Sequence, residues 1–364
     1  MTNKERFVTA LRSGVPDKVP IFDLEFNEAS IVNVGRWFTQ DVPEIKHFVD
    51  WTPEDTQKYF DVYFKIIREL DLDAISFVFG AGGNRLSAES EKFRDDFGVI
   101  YMLSEHGDPF PVDGPFKGSD DIKHYRFPEP LRYFDTFQYV IESLPERTVI
   151  FCVPGPFKLS WSLMGGMEKL LLAYAMEPEF CMHLARLTTD YIKDLIQVAI
   201  ERGADVILLD GDLASQKTML MSPADYRRYL KHYHGECVAL SHRHVIPIFK
   251  HSDGNFWKIM DDLLEIGFDG LHPIQPQCMD IRAVKQYTQG QVCLLGNIDC
   301  AHLLPFGSEQ EVVEAVRQTI ADIAPGGGYI LSSSNTIHPG CKPENVIAMF
   351  RAARQFGVYP ILGE

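Results

Sequence analysis

Short apolar runs alternate with helical segments along most of the chain. Eight of these runs are rich in β-branched and aromatic residues, which favour extended, half-buried backbone. They predict strands at Val19–Asp23, Ala74–Phe79, Thr148–Val153, Asp205–Leu209, Val245–Phe249, Gly270–Pro273, Gln291–Leu295 and Gly328–Ser333. Most are followed by a segment with helical spacing, and such repeated β and α units imply parallel strands joined by right-handed crossovers.

Several helical segments carry clear start signals. Thr52-Pro53-Glu54-Asp55 places a proline in the first helical turn, and Ser222-Pro223 combines a serine N-cap with a proline at the next position. Helices are predicted at Lys4–Arg12, across 30–70, around 160–175, at 178–202 and 309–323, and from Pro343 onward.

Residues 85–128 differ from the rest of the chain. Charged and aromatic residues alternate there without a helical period. This pattern predicts hairpins or long loops inserted after the second strand, above the main fold. Insertions at such a place commonly serve as lids over a site.

The strand count and the length favour one closed barrel. Eight strands within 364 residues, without a linker or low-complexity break, predict a single (β/α)8 TIM barrel domain over residues 1–364. A doubly wound open sheet is the competing α/β fold. Such a sheet usually has a glycine-rich phosphate fingerprint after its first strand, and Leu24-Glu25-Phe26-Asn27 does not provide one.

Charge and cysteine content narrow the functional class. The net charge of −16 argues against nucleic-acid binding, which needs a basic face. No apolar stretch approaches the roughly 20 residues of a membrane helix, and the N-terminus lacks the apolar core of a signal peptide. Seven cysteines without a CxxC pair indicate free thiols in a reducing compartment. A cytoplasmic protein is therefore expected, and a homodimer is compatible with the sequence.

Polar residues follow most of the predicted strands. In a barrel the carboxyl ends of all strands open onto one face, where active sites lie. The turn His251-Ser252-Asp253-Gly254 is the most concentrated example, because a histidine and a carboxylate sit there together. The predicted mouth carries Glu25, Asn27, Asn84, Asp210, Asp212, His251, Asp253, His272, Asn297, Asp299, Asn335 and His338.

Several motifs resemble the uroporphyrinogen decarboxylase superfamily. The opening Arg6–Arg12 with Pro16–Pro20 is similar to the start of that family. The further matching motifs, in order, are Gly155–Phe157, Asp210 to Pro223, His251–Gly254, Gly296–Asp299, Gly326–Ser334 and Pro343–Met349. The resemblance covers nearly the whole chain and implies a (β/α)8 barrel.

The resemblance argues against decarboxylation of uroporphyrinogen. True uroporphyrinogen decarboxylases bind a carboxylate-rich substrate with arginines just after the first strand, where this chain has Leu24–Glu28. Their aspartate after the second strand falls near Phe79 and Gly80 here, their tyrosine aligns with Ser162, and their late histidine aligns with Asn335. An acidic first-strand end repels a multi-carboxylate substrate.

The second branch that the chain resembles contains methyltransferases of corrinoid-dependent methyl metabolism. Members linked to coenzyme M bind zinc through a His-x-Cys motif and a later cysteine. Here His251 is retained, while Asp253 and Asn335 stand at the two cysteine positions. A thiolate-rich zinc site is thus not supported, whereas a zinc site of His251 with carboxylates such as Asp253, Asp210 or Glu25 remains open.

The resemblance implies transfer of a methyl group from a small methoxylated or methylated donor to the cobalt of a separate corrinoid protein. Alkoxide is a poor leaving group, so an acid or a metal must activate it. The expected catalytic residues are His251, Asp253, Asp210 and Asp212. The expected substrate contacts are Glu25, Asn27, His272, Asn335 and Phe157, and the expected metal ligands are His251, Asp253 and Glu25. The alternatives are a decarboxylase or lyase acting on a smaller acid, and a non-catalytic tetrapyrrole- or corrinoid-binding protein.

Overall fold

The computed structural model describes residues 1–104 and 109–361. Residues 105–108 of the predicted insertion and residues 362–364 lie outside this part. The strands, in chain order, are β1 (Ala74–Val78), β2 (Asn84–Arg85), β3 (Lys92–Arg94), β4 (Ile100–Leu103), β5 (Pro109–Asp113), β6 (Thr148–Pro154), β7 (Val206–Asp210), β8 (Ile248–His251), β9 (Gly270–His272), β10 (Cys293–Ile298) and β11 (Tyr329–Ser333).

Helices follow most strands of the main sheet. They are α1 (Asn3–Leu11), α2 (Glu28–Gly35), α3 (Pro53–Glu69), α4 (Ser119–His124), α5 (Asp135–Ser143), α6 (Pro156–Leu163), α7 (Met167–Met176), α8 (Pro178–Arg202), α9 (Pro223–Tyr226), α10 (His232–Arg243), α11 (Met260–Ile266), α12 (Ile281–Thr288), α13 (Leu303–Phe306), α14 (Glu309–Ile323) and α15 (Pro343–Phe356). Short 3-10 turns lie at Phe48–Asp50, Pro130–Tyr133 and Trp257–Ile259, and a π-turn at Arg227–Lys231 joins α9 to α10.

The main sheet is parallel, seven-stranded and curled. Its order is β1-β6-β7-β8-β9-β10-β11, so strands that follow one another in the chain are neighbours in space. The inserted hairpin strands lie between β1 and β6 in sequence and form a separate antiparallel sheet of order β2-β3-β4-β5. The predicted α/β fold with an insertion after the second strand is confirmed.

The predicted first strand occupies the gap between β11 and β1. Leu331 donates its N–H to the carbonyl of Pro20 at 2.9 Å and accepts from the N–H of Phe22 at 3.1 Å. On the other side, the N–H of Asp73 donates to the carbonyl of Ile21 at 2.8 Å. Pro20 lacks an N–H, and the N–H of Ile21 donates to the Asp73 carboxylate. This segment therefore closes the sheet through single bridges rather than a regular ladder.

Helix α1 closes the amino-terminal end of the barrel. Phe7, with Ala10 and Leu11, joins a buried interior cluster with side chains such as Phe22 and Phe249. The ring centroids of Phe7 and Phe22 are 5.6 Å apart, and those of Phe22 and Phe249 are 6.0 Å apart. Apolar packing thus fills the lower barrel and leaves the carboxyl ends of the strands for polar groups.

Several predicted element boundaries were wrong. The helix expected across 30–70 is divided between α2 and α3, and the one expected around 160–175 breaks at Gly165 and Gly166, which have φ values of 71° and 146°. Only glycine adopts such conformations readily. The fifth predicted strand begins at Ile248 instead of Val245, which is 70% exposed with a positive φ of 61°.

All seven cysteines lie in the described residues, and none of them forms a disulfide. Within the ranges 1–104 and 109–361, no helix has the length and apolar character needed to cross a membrane.

Candidate active site at the carboxyl ends of the strands

A row of three hydrogen-bonded side chains crosses the barrel below its mouth. His251 ends β8 and His272 ends β9, and their Nδ1 atoms are 2.7 Å apart. The Nε2 atom of His272 lies 3.1 Å from the Oγ of Ser332 on β11. This histidine row is buried, with His251 4% exposed and His272 0% exposed.

Three carboxylates face the outer nitrogen of the histidine row. The Nε2 atom of His251 lies 3.7 Å from Asp212, 3.7 Å from Asp253 and 3.9 Å from Asp210. Burial lowers the pKa of His251, although Asp210 and Asp212 oppose this effect. We call the carboxylates of Asp210, Asp212 and Asp253 the acidic face. The four expected catalytic residues therefore lie together around one point.

Asp253 is held by neighbours on two sides. Its Oδ2 accepts a hydrogen bond from the Asn335 side-chain amide at 2.5 Å, and its backbone N–H donates to Asp212 at 2.8 Å. Its Oδ1 atom is buried without a hydrogen-bond partner among the residues that the structure describes. Burial, together with the charges of Asp212 and Asp210, raises the pKa of Asp253 to about 8.

Two lysines that the sequence analysis missed shape the acidic face. Burial would raise the pKa of Asp210, but Lys158 at 2.5 Å and His251 outweigh it and hold the pKa at about 2. Lys250 is buried, and burial lowers its pKa to about 8. It donates to the carbonyls of Gly211 at 2.6 Å and of His251. A lysine inside the apolar run before His251 was the sequence signal for this role, because a buried lysine needs specific partners.

The turn after β8 packs tightly on the turn after β7. Ser252 accepts a hydrogen bond from the backbone N–H of Leu213 at 2.9 Å. Gly254 has a φ of 82°, and a Cβ atom there would stand 2.4 Å from the carbonyl oxygen of Ser215. This contact explains why a glycine follows Asp253, since any larger residue would push the two turns apart.

One group of side chains has the arrangement of a metal site. Ligand atoms from Asp212, His251 and Asp253 lie within 4.8 Å of one another. One imidazole nitrogen and two carboxylate oxygens suit a zinc ion, and three protein ligands leave a coordination position open. The buried Oδ1 atom of Asp253 has no hydrogen-bond donor among the described residues, so the residues present fit a bound cation.

The remaining predicted residues belong to other parts of the fold. Glu25 is exposed and Asn27 is the residue before α2, and both pair through their backbones with Ile337. Phe157 is 1% exposed in the first turn of α6 and belongs to the apolar core. Asn84 lies on β2 of the inserted sheet and is exposed.

The other mouth residues that the sequence singled out form hydrogen bonds to backbone groups of loops. The side-chain amide of Asn297 donates to the carbonyl of Ile274 at 2.8 Å. Asp299 accepts from the N–H groups of Ala301 and His302. Nε2 of His338 lies 2.9 Å from the carbonyl oxygen of Cys300. These contacts shape the loops after β9, β10 and β11.

Comparisons with known proteins agree with the fold. The chain is 25% identical over 370 residues to a uroporphyrinogen decarboxylase of Coxiella burnetii, covering 97% of this chain and 95% of that protein. It is 26% identical over 345 residues to that of Alkalilimnicola ehrlichii, covering 84% and 90%. A solved methyltransferase from Methanosarcina mazei is similar in fold, with a TM-score of 0.74, 21% identity, and coverage of 98% and 99%.

The family model "Uroporphyrinogen decarboxylase (URO-D)" matches residues 44–356. This range contains β1 to β11 and every residue of the histidine row and the acidic face. The curated relatives are distant, at 25–26% identity. As its sequence motifs predicted, this protein belongs to the uroporphyrinogen decarboxylase superfamily.

Proposed function

We propose that this protein is a methyltransferase. It would transfer a methyl group from a small methoxylated or methylated donor to the cobalt of a separate corrinoid protein, with a metal or an acid activating the leaving group. The cluster of Asp212, His251 and Asp253 is the observation that carries this proposal. The similar fold of the Methanosarcina mazei methyltransferase supports it.

The charges around this cluster favour a bound cation or a proton. Nε2 of His251 and Oδ1 of Asp253 are 3.7 Å apart, and the carboxylate oxygen of Asp212 is equally close to that nitrogen. When the imidazole is neutral and both carboxylates are ionised, all three atoms are acceptors. Asp212 is partly exposed and accepts the backbone N–H of Asp253, whereas Oδ1 of Asp253 is buried without a donor in the described residues, and such an acceptor is stabilised by a positive group beside it.

The same residues suit the activation of a methyl donor. Asp212, His251 and Asp253 would hold a zinc ion, which, when bound, polarises the leaving oxygen as a Lewis acid. Asn335 fixes the orientation of Asp253, and Lys250 fixes the backbone that carries Asp210 and Asp212. A proton on one of the carboxylates is the alternative means of activation.

The first-strand end further supports a donor that is not a polycarboxylate. Glu25 and Glu28 stand where the family resemblance leads us to expect arginines, and Asp210, Asp212 and Asp253 add three carboxylates around His251. A neutral or cationic methylated donor avoids the repulsion that a carboxylate-rich substrate meets there.

Metal analysis and a donor screen test the proposal. The purified chain is analysed for bound metal, then mixed with reduced corrinoid protein and a panel of methoxylated and N-methylated compounds. We expect about one zinc per chain and the absorbance of methylated cobalt with at least one donor. We also expect the activity to be lost after chelation and restored by zinc. No methylated cobalt with any donor would contradict the proposal, and activity without metal would assign activation to an acid.

A second candidate function is that of a decarboxylase or lyase acting on a smaller acid. The curated relatives at 25–26% identity are uroporphyrinogen decarboxylases, and Lys158, which pairs with Asp210 but is 43% exposed, is a cation that a substrate carboxylate would meet there. Release of CO2 from a small acid, with no methylated cobalt formed, would favour this function over methyl transfer.

A further inference from the structure

Ser332 is the innermost member of the histidine row, and it determines which ring nitrogen of His272 carries a hydrogen. The hydroxyl of Ser332 donates its single proton to the backbone carbonyl of Ser333 at 2.8 Å. Its oxygen can therefore only accept in the 3.1 Å contact with His272. Consequently the Nε2 atom of His272 carries a hydrogen.

His272 is uncharged in this environment. Its ring is fully buried and lies 5.6 Å from the ring of Phe22 and 6.4 Å from that of Phe249, measured between centroids. Its hydrogen-bond partners in the described residues are His251 and Ser332, neither of which is a carboxylate. A buried charge without a partner is costly. A neutral His272 with hydrogen on Nε2 has a lone pair on Nδ1.

The tautomer of His251, the outermost member of the row, is fixed in turn. Because Nδ1 of His272 accepts, the 2.7 Å contact requires that Nδ1 of His251 donates. A neutral His251 protonated at Nδ1 has its lone pair at Nε2. That nitrogen lies 3.7 Å from Asp212 and from Asp253, at the centre of the candidate metal site.

We propose that His272 and Ser332 are positioning residues that hold His251 in the Nδ1-protonated tautomer, with the Nε2 lone pair available to a metal. This inference rests on the metal-assisted form of the proposed function. Partners behind metal-bound histidines generally fix the tautomer and ring orientation in this way, and their loss weakens metal binding about 10- to 100-fold. His272 was expected from the sequence to contact substrate; its burial behind His251 assigns it this different role.

A matched pair of variants separates this role from simple packing. His272→Asn keeps an oxygen acceptor close to the Nδ1 position, whereas His272→Leu has a similar size but no acceptor. We expect His272→Leu to bind Zn2+ or Co2+ about 10- to 100-fold more weakly than the wild type. His272→Asn should stay within about threefold, because His251 keeps an acceptor for its Nδ1–H. Circular dichroism melting checks that each variant is folded.

Nitrogen NMR of the metal-free protein labelled in histidine measures the tautomer directly. We expect His251, assigned from a His251→Gln spectrum, to show a protonated Nδ1 and an unprotonated Nε2. Ser332→Ala removes the acceptor that keeps the hydrogen on Nε2 of His272, so a mixture of His251 tautomers should appear. This measurement does not depend on any methyl donor.

Three results would overturn the inference: a wild-type His251 protonated at Nε2 alone, His272→Leu binding both metals as tightly as the wild type, or wild-type protein that binds neither metal. The failure of every methyl donor, with metal binding and tautomer as expected, would overturn the proposed function alone.

Discussion

The side-chain amide of Asn335 donates to Oδ2 of Asp253 at 2.5 Å, and this turns the other carboxylate oxygen of Asp253 toward His251. The two residues are 82 positions apart in the chain. Asn335 thus orients a candidate ligand from a distant part of the chain.

Replacement of Asn335 tests this orienting contact. Asn335→Ala removes the donor, so the Asp253 carboxylate can rotate, and metal affinity should fall about 10-fold. Asn335→Asp places another carboxylate against Asp253, and the repulsion should weaken metal binding further. Competition against a chromophoric chelator measures both affinities. Equal affinities in both variants and the wild type would show that Asn335 does not orient Asp253.

Neutralising one candidate ligand has a larger effect than neutralising a surface acid. Asp253→Asn replaces an anionic ligand oxygen with an amide, so we expect the bound zinc to be lost on dialysis and methyl transfer to fall at least about 100-fold. Glu89→Gln, on the exposed rim of the inserted sheet, is the matched control and should retain both the bound zinc and the rate of methyl transfer. Zinc content and initial rates are the measurements, and full zinc content in Asp253→Asn would exclude Asp253 as a ligand.

The glycine after Asp253 can be compared with a second glycine of similar conformation. Gly254 and Gly267 have φ values of 82° and 87°, but a Cβ atom meets backbone only at Gly254. Gly267→Ala should therefore lower the free energy of unfolding only by the strain of a left-handed alanine, about 1–2 kcal/mol. Gly254→Ala should lose more stability and also lose metal affinity, because the clash with Ser215 displaces Asp253. Urea unfolding and metal titration measure these changes, and equal destabilisation would contradict the steric explanation.

A buried carboxylate holds the barrel closed at its amino end. Asp73 accepts hydrogen bonds from Arg6 at 2.6 Å, from Arg354 at 2.7 Å and from the backbone N–H of Ile21 at 2.8 Å. Asp73→Asn removes this anion from two largely buried guanidinium groups, although Arg6 keeps Asp17 and Arg354 keeps Asp71 as partners, so the free energy of unfolding should fall by about 1–3 kcal/mol. Asp41→Asn, which breaks an exposed pair with Lys58, is the control and should change it little. If Asp73→Asn has the same free energy of unfolding as Asp41→Asn, the hydrogen bonds of Asp73 are not needed to close the barrel.

A buried carboxylate in the insertion predicts a pH dependence of stability. Burial raises the pKa of Asp95 to about 7, against hydrogen bonding from the backbone of Val99, whereas an unfolded aspartate titrates near 3.9. The folded state therefore keeps a proton that the unfolded state releases. This contribution to stability is complete below about pH 4 and is lost as the pH rises to about 7.

The comparison with Asp95→Asn isolates this contribution, because all other titrating groups are shared. The wild type should lose free energy of unfolding relative to Asp95→Asn as the pH rises from 4 to 7. Urea unfolding at a series of pH values measures the difference. A difference that stays constant over this range would show that Asp95 does not titrate as expected.

Sequence patterns predicted most of the main sheet because strand and helix signals are local. The helices at 178–202 and 309–323 were predicted within a residue, as capping and periodicity fix them. The errors lay where local signals were weak, as at Gly165 and Gly166, where the backbone conformation depends on neighbouring turns. The segment around Pro20 was predicted as the first barrel strand, but its pairing through single bridges depends on hydrogen bonds to distant strands, which no local pattern reveals.

By itself the sequence determined that parallel strands alternate with helices and that polar residues such as His251, Asp253 and Asp210 end those strands. Only the tertiary structure decided which of these side chains meet. It brought Asp212 to the nitrogen of His251 and placed His272 behind that histidine, away from the open mouth. The physical reason is that strand order follows from local periodicity, whereas distances across a barrel depend on its curvature and on the turns that carry each side chain.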